Sequence, residues 1–303
     1  MAESFAQVAD IEICYETFGD PGDPAMLMIM GLGTQMVAWH DEFCTQLAER
    51  GFFVIRHDNR DIGRSTRLDG APTPSLLQLA TRDKRAAAYT LADMAGDSVG
   101  VLDHLGIEKA HVVGASMGGM IAQTIAIRYP HRTLSLVSIM SNTGGFFAGQ
   151  PALTMYALLL KPAPRDRDGF IQHGIDMFTK IGGSGFEPDV EDLREIATLS
   201  YDRGHDPRGS QRQLAAIIAD RDRTPQLRRL TIPATVIHGA DDKLVRPSGG
   251  RATAKAIPGA KLLEIEGMGH GLPRGAWGQI IGAIADTAAR GDAAQAALTP
   301  VRG

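Results

Sequence analysis

Short strand-like runs alternate with helix-like segments along most of the chain, and this alternation limits the possible folds more than any other feature. Strand-like runs are predicted at 4–8, 11–18, 25–30, 52–57, 110–114, 133–140, 233–239 and 261–265. Helix-like segments are predicted near 41–50, 91–105, 117–129 and 275–290. Such alternation is typical of crossover units that build a largely parallel sheet. We therefore expect an α/β fold, opened by an antiparallel pair of strands.

One long segment interrupts the alternation. From 142 to 229 helix-like stretches dominate, with many charges and with glycines and prolines between them. We expect residues 142–229 to form an inserted helical cap, or lid, on a core made of 1–141 and 230–303. A chain of 303 residues with 44% hydrophobic residues can bury such a core as one elaborated domain. The Ala-rich tail from Gly291 is expected to fray.

Charge and cysteine usage narrow the class of partner. A net charge of -4 gives no basic surface for nucleic acid or anionic lipid. The two cysteines, Cys14 and Cys44, are too few for a secreted disulfide framework, so we expect buried thiols. We find neither a secretory signal at the amino terminus nor an apolar run long enough for a membrane span. We expect a cytoplasmic monomer or homodimer that acts on a small molecule.

The segment Gly114-Ala115-Ser116-Met117-Gly118 joins a predicted strand to a predicted helix. The pattern Gly-x-Ser-x-Gly in that context is the nucleophile elbow, a sharp turn that exposes a serine hydroxyl. The spacing alone is weak evidence in a chain with 35 glycines, and an ordinary glycine-rich turn is the alternative. The flanking strand and helix favour a nucleophile.

A serine nucleophile needs a base within hydrogen-bond reach and an acid that holds the base. His270 lies in the loop 267–271 after the last predicted strand, and Asp241 and Asp242 follow the strand 233–239. Functional groups of open α/β sheets gather at such carboxyl ends of strands. His270 is the candidate base, with a surface loop histidine as the alternative. The adjacent aspartates leave the register of the acid open at this point.

Two backbone N–H groups are candidates for an oxyanion hole. One belongs to Met117, which follows the candidate nucleophile, and the other belongs to Leu32 in the loop after strand 25–30. A dinucleotide-binding loop is the alternative for this stretch. It is disfavoured because Met36 replaces the third glycine of that fingerprint. We expect no cofactor.

These residues resemble the α/β-hydrolase esterases, and within them the group around aclacinomycin methylesterase. The matching pieces are Met30-Gly31 with Trp39, the runs 54–61 and 63–65, and the motifs 111–118 and 267–270. The likeness covers almost the whole core and fades in the cap. It implies an α/β-hydrolase fold and places the acid three residues after Gly239, which selects Asp242.

The resemblance also bears on His57, Asp58 and Asp61, which could be read as a metal cluster. In the family this stretch looks like a structural turn beside the active site, and no second cluster supplies further ligands, so we expect no metal.

The expected activity is hydrolysis of carboxylic esters through an acyl-enzyme. Hydrolysis of lactones or of carbon–carbon bonds and perhydrolysis use the same residues and stay open, as does a ligand-binding protein without catalysis. Apolar cap residues could line an acyl pocket or equally hold the cap helices to the core. They are Phe146, Phe147, Met155, Tyr156, Met177 and Phe178.

Overall fold

The eight predicted strands form one sheet in the computed structural model, which describes residues 2–81, 83–155 and 163–298. The strands are β1 (Ser4–Val8), β2 (Ile11–Phe18), β3 (Ala25–Ile29), β4 (Phe53–His57), β5 (Ala110–Ala115), β6 (Thr133–Ile139), β7 (Ala234–Gly239) and β8 (Lys261–Ile265). Their order is β1-β2-β4-β3-β5-β6-β7-β8. Only the pairs β1–β2 and β2–β4 are antiparallel. The predicted α/β class is confirmed.

The central strands are buried on both faces, which explains why they are apolar throughout. In β3 the side chains of Leu27 and Ile29 point into one hydrophobic cluster, and those of Met26 and Met28 point into another. All four are fully buried. The sheet therefore separates two apolar layers, each of which needs a cover of helices.

Helices supply those covers. They are α1 (Asp41–Ala48), α2 (Leu76–Ala80), α3 (Leu91–His104), α4 (Met117–Arg128), α5 (Arg167–Ile181), α6 (Val190–Arg203), α7 (Pro207–Ala219), α8 (Thr224–Leu227), α9 (Ser248–Ala256) and α10 (Trp277–Leu298). Helices α3 and α4 bury residues in the cluster of Leu27, whereas α1 and α10 bury residues in the cluster of Met26. Among the described residues, no helix has the length and apolar character to span a membrane.

Three helices differ from the sequence-based expectations. The short α2, where Ser75 and Gln78 form a capping box, and α9 lie in stretches for which no helix was predicted. The last helix continues to Leu298 instead of ending near 290. Alanine has the highest helix propensity, and the Ala-rich tail contains no proline before this point. Gly291 also packs closely, since a Cβ there would lie 2.8 Å from the carbonyl oxygen of Leu134.

Between β6 and β7 the described residues form α5 to α8 and add no strand to the sheet. The division into a core and a cap at 142–229 stays a prediction. The charged stretch 221–229 is not exposed throughout. Arg223 is buried, and it donates to Gln123 Oε1 at 3.2 Å and to the carbonyl oxygen of Asn142 at 2.8 Å. Cys14 and Cys44 are buried free thiols, as expected.

Candidate active site

Ser116 lies on the sharp turn between β5 and α4. Its φ of +56° is a left-handed conformation that non-glycine residues rarely adopt, and its N–H donates to the carbonyl oxygen of Ile139 at 2.9 Å. The flanking glycines make the turn possible. A Cβ at Gly114 would collide with the backbone of Gly118, and a Cβ at Gly118 would collide with the carbonyl oxygen of Ile29. The turn thereby presents the hydroxyl at the start of a helix.

The structure brings His270 and Asp242 to this serine. His270 Nε2 lies 2.9 Å from Ser116 Oγ, and His270 Nδ1 lies 2.7 Å from Asp242 Oδ2. An ionised carboxylate can only accept, so Nδ1 carries the proton and Nε2 is left to accept one from the hydroxyl. His270 and Asp242 are 6% and 2% exposed, which shields the contact between them from water.

Asp242 is held as an anion. Its Oδ1 accepts from the N–H groups of Leu244 at 2.8 Å and Val245 at 2.9 Å. Burial by itself would raise the pKa of Asp242, but the charge of His270 and the hydrogen bonds from His238 and His270 outweigh burial and lower the pKa to about 2. The carboxylate is therefore ionised throughout the neutral range.

Asp241 points elsewhere. Its carboxylate accepts from the N–H of Ser184 at 3.2 Å and also from the hydroxyl of that serine. Of the two adjacent aspartates, only Asp242 lies against His270. Sequence reasoning missed His238, whose Nε2 lies 2.7 Å from the carbonyl oxygen of Val245 and 3.4 Å from Asp242 Oδ2. Its position at the end of β7, four residues before Asp242, is the signal that could have revealed it.

The two candidate oxyanion donors belong to different elements, the start of α4 and the loop after β3. Met117 is the first residue of α4, so its N–H has no acceptor within the helix. The loop that carries Leu32 approaches from β3, and a Cβ on Gly31 would lie 3.0 Å from the Cβ of Ser116. Among the described residues, the N–H of Leu32 has no hydrogen-bond acceptor. Both groups are available to a ligand in the cavity that Leu32 and Met117 line.

That cavity has a volume of about 1000 Å³ and opens above Ser116 and His270. Met177 and Phe178 of α5 line it, which is one of the two roles that the sequence left open for them. Phe146 and Phe147 do not line it and are 69% and 96% exposed. Met155 is buried away from it, and Tyr156 lies outside the described residues. The lining combines loops of the sheet with helices between β6 and β7.

The acidic loop after β4 binds arginines from the helical segment. Asp58 Oδ2 accepts from Arg203 Nη2 at 2.8 Å, and Asp61 accepts from Arg212 Nε at 2.8 Å and Nη2 at 2.7 Å. Sequence reasoning missed both arginines, because each partner lies about 150 residues away. The side chain of His57 contacts Ser98 instead of the two aspartates, with His57 Nε2 3.1 Å from Ser98 Oγ. Among the described residues, no group of three or more His, Cys, Asp or Glu side chains is arranged to hold a metal ion.

Comparison with known proteins shows the family to which the chain belongs. Residues 24–173 match the family described as alpha/beta hydrolase fold. The chain is 31% identical over 286 residues to rhodomycin D methylesterase from Streptomyces sp. (strain C5), covering 87% of this chain and 90% of that protein. The chain belongs to the α/β-hydrolase family. The fold and family expected of this hydrolase are thereby confirmed.

Two further likenesses agree with that membership. The hydrolase is 28% identical to 3-oxoadipate enol-lactonase 2 from Acinetobacter baylyi, over 85% of this chain and 86% of that protein. It also matches a crystal structure of the enol-lactonase from Burkholderia xenovorans LB400. That match has a TM-score of 0.72 at 22% identity and covers 94% of this chain and 99% of that one. The structural match supports the fold alone.

Proposed function

We propose that this hydrolase cleaves carboxylic esters through an acyl-enzyme, with Ser116 as nucleophile, His270 as base and Asp242 as the acid that orients the base. The observation that carries the proposal is the unbroken chain of contacts at 2.9 Å from Ser116 to His270 and at 2.7 Å from His270 to Asp242. That the protein is a carboxylic ester hydrolase is confirmed by its kinship to a methylesterase. The residue roles are the proposal.

The chemistry follows from the geometry. His270 Nε2 takes the proton of the Ser116 hydroxyl as Oγ bonds to the ester carbonyl carbon, and the carbonyl oxygen becomes an anion. The N–H groups of Leu32 and Met117 stabilise that oxyanion. The alcohol leaves with the proton from His270. Water then attacks the acyl-enzyme, with His270 again as base, and the carboxylic acid departs while Ser116 regains its proton.

The charges around Ser116 suit the charges that develop during this reaction. Asp242 stays ionised and so favours the imidazolium that forms in both steps. The helix α4 begins at Met117, and its dipole favours negative charge at that end. No step requires a cofactor.

The substrate class that we propose first is a methyl ester. The relative from Streptomyces sp. (strain C5) is a methylesterase, and methanol is a small leaving group. A cavity of about 1000 Å³ lies at the upper end of the range for small-molecule sites, so the acid part of the ester can be bulky. We propose that the segment 142–229 acts as a cap that forms one wall of this space, through residues such as Met177 and Phe178.

Lactone hydrolysis is the second candidate. It is favoured by the 28% identity to an enol-lactonase along most of the chain, and it uses the same serine chemistry on a cyclic ester. Carbon–carbon bond hydrolysis and perhydrolysis stay open as side activities of the same residues. A cytoplasmic location and a monomeric or homodimeric state also stay predictions.

The test is hydrolysis of a 4-nitrophenyl ester series of increasing acyl length and of methyl esters, by wild type and Ser116→Ala. We expect turnover by the wild type only, together with labelling of Ser116 by a fluorophosphonate. If a folded wild type neither turns over esters or lactones nor takes up the label, the serine mechanism is wrong and ligand binding becomes the better explanation.

A further inference from the structure

The turn that carries Leu32 is supported from outside the sheet. Thr34 N–H donates to the carbonyl oxygen of Gly31 at 3.3 Å, which closes a four-residue turn. Gly33, the third residue, has a φ of +67°, as a type II turn requires at that position. Types I and II differ by a rotation of the central peptide, here the one between Leu32 and Gly33. Whatever fixes that peptide fixes the form of the turn.

Two side chains hold the central peptide from opposite ends. Gln213 Oε1 accepts from the N–H of Gly33 at 2.9 Å, and Thr34 Oγ1 donates to the carbonyl oxygen of Leu32 at 3.2 Å. If the peptide rotated by half a turn, a carbonyl oxygen would face the Oε1 acceptor of Gln213, whereas the Thr34 hydroxyl could rotate and accept from the N–H. The contact with Gln213 therefore favours the type II form.

Gln213 itself is firmly placed. It lies on α7, is fully buried, and its Nε2 donates to the carbonyl oxygen of Arg60 at 2.9 Å. The preceding residue, Arg212, binds Asp61 through two hydrogen bonds. Both ends of the Gln213 amide thus bind backbone groups of the sheet's loops. A glutamine buried without such partners would cost free energy, so its burial depends on this bridge.

We propose that Gln213 is a positioning residue for the oxyanion hole: from α7 it holds the turn Gly31–Thr34 in place, so that the Leu32 N–H stays directed at the reacting carbonyl. The inference rests on the proposed function. The Leu32 N–H lies in the peptide just before the central one, and the two peptides share the Cα of Leu32, so the hydrogen bond from the Gly33 N–H to Gln213 restrains the donor through a single residue.

The test compares Gln213→Leu with wild type on the best 4-nitrophenyl ester. Gln226→Leu is the matched control, because Gln226 is exposed and remote from the cavity. Removing a whole oxyanion donor lowers kcat by about 10²–10³ fold. A loss of positioning forfeits part of this effect, so we expect kcat to fall by about 10–100 fold with KM within about threefold. The control should match wild type.

A second readout separates positioning from loss of folded enzyme. A boronic acid inhibitor forms a tetrahedral anionic adduct on Ser116, so its Ki should rise by the same factor as kcat falls. Titration of Ser116 with a fluorophosphonate gives the fraction of competent enzyme. A kcat and a Ki within twofold of wild type would overturn the proposal. So would a fall in kcat fully explained by a lower titre of Ser116.

Thr34→Val provides a variant outside the helical segment. It removes the hydroxyl at nearly constant size, and we expect a fall in kcat of less than about tenfold. The double variant with Gln213→Leu should lose less than the product of the two single losses, because both side chains hold one peptide. A double loss equal to that product would contradict the proposal. A wild type that is inert towards every ester and boronate would overturn the proposed function along with it.

Discussion

Breaking the buried ion pair between α7 and the loop after β4 should strongly destabilise the protein. Arg212 and Asp61 are 1% and 0% exposed at their side chains and share two hydrogen bonds, at 2.8 and 2.7 Å. In Arg212→Met the Asp61 carboxylate would stay buried and keep the hydrogen bond from the N–H of Leu68, at 2.8 Å, but would lose both hydrogen bonds from the guanidinium. Removal of one partner of such a pair costs about 3–5 kcal/mol. At roughly 2 °C per kcal/mol for a chain of this size, Tm should fall by about 6–10 °C.

The chain offers a matched control for burial. Arg167 and Asp202 share two hydrogen bonds of similar length, at 3.0 and 3.1 Å, but their side chains are 47% and 53% exposed. Exposed pairs contribute at most about 1 kcal/mol, so Arg167→Met should lower Tm by no more than about 2 °C. Thermal unfolding followed by circular dichroism measures both variants. Equal shifts in Tm would refute the reasoning that burial sets the contribution of these pairs.

Three further predictions concern the candidate site. Asp242→Asn should lower kcat about 10⁴ fold by disturbing the orientation and charge of His270, whereas steady-state assays of Asp241→Asn should show a change of only a few fold. Because the pKa of Asp242 is lowered from 3.8 to about 2, its ionisation stabilises the fold by about 2 kcal/mol above pH 4, and this contribution is lost as the pH falls towards 2. The free energy of unfolding, measured by urea denaturation, should fall less steeply across that pH range in Asp242→Asn than in wild type. Gly118→Ala should abolish fluorophosphonate labelling of Ser116, because the new Cβ would collide with the carbonyl oxygen of Ile29; normal labelling would refute the close approach.

The fold and the residues at the centre of the site were predictable because their signals are local. A fully buried strand such as β3 must be apolar, and a glycine on each side of Ser116 reports a backbone that passes too close for a Cβ. The ends of strands then place His270 and the adjacent Asp241 and Asp242 at the same edge of the sheet, and the resemblance to the α/β-hydrolase esterases selects Asp242. Each inference needs only a few neighbouring residues.

The supporting contacts were not predictable because their signals are not local. Gln213 is 180 residues from Gly33 in sequence, and an isolated glutamine on a helix gives no sign of its partner. Arg223 stands among charged neighbours that are typical of solvated surface, yet its own side chain is buried. The end of α10 was misplaced for another reason: Gly291 reads as a helix stop, although here it lets the helix pass close to Leu134.

The segment between β6 and β7 supports the candidate site at two separate points. Gln213 binds the turn of the candidate oxyanion donor, while the carbonyl oxygens of Ile181 and Gly182 accept from the N–H groups of His270 at 2.6 Å and Gly269 at 2.8 Å. Ile181 and Gly182 border the cavity, and Gln213 lies on α7, which borders the cavity through Gln211 and Leu214. Substitutions chosen in this segment to change substrate preference should then alter kcat as well as KM, because the wall of the pocket and the supports of the reacting groups belong to the same helices.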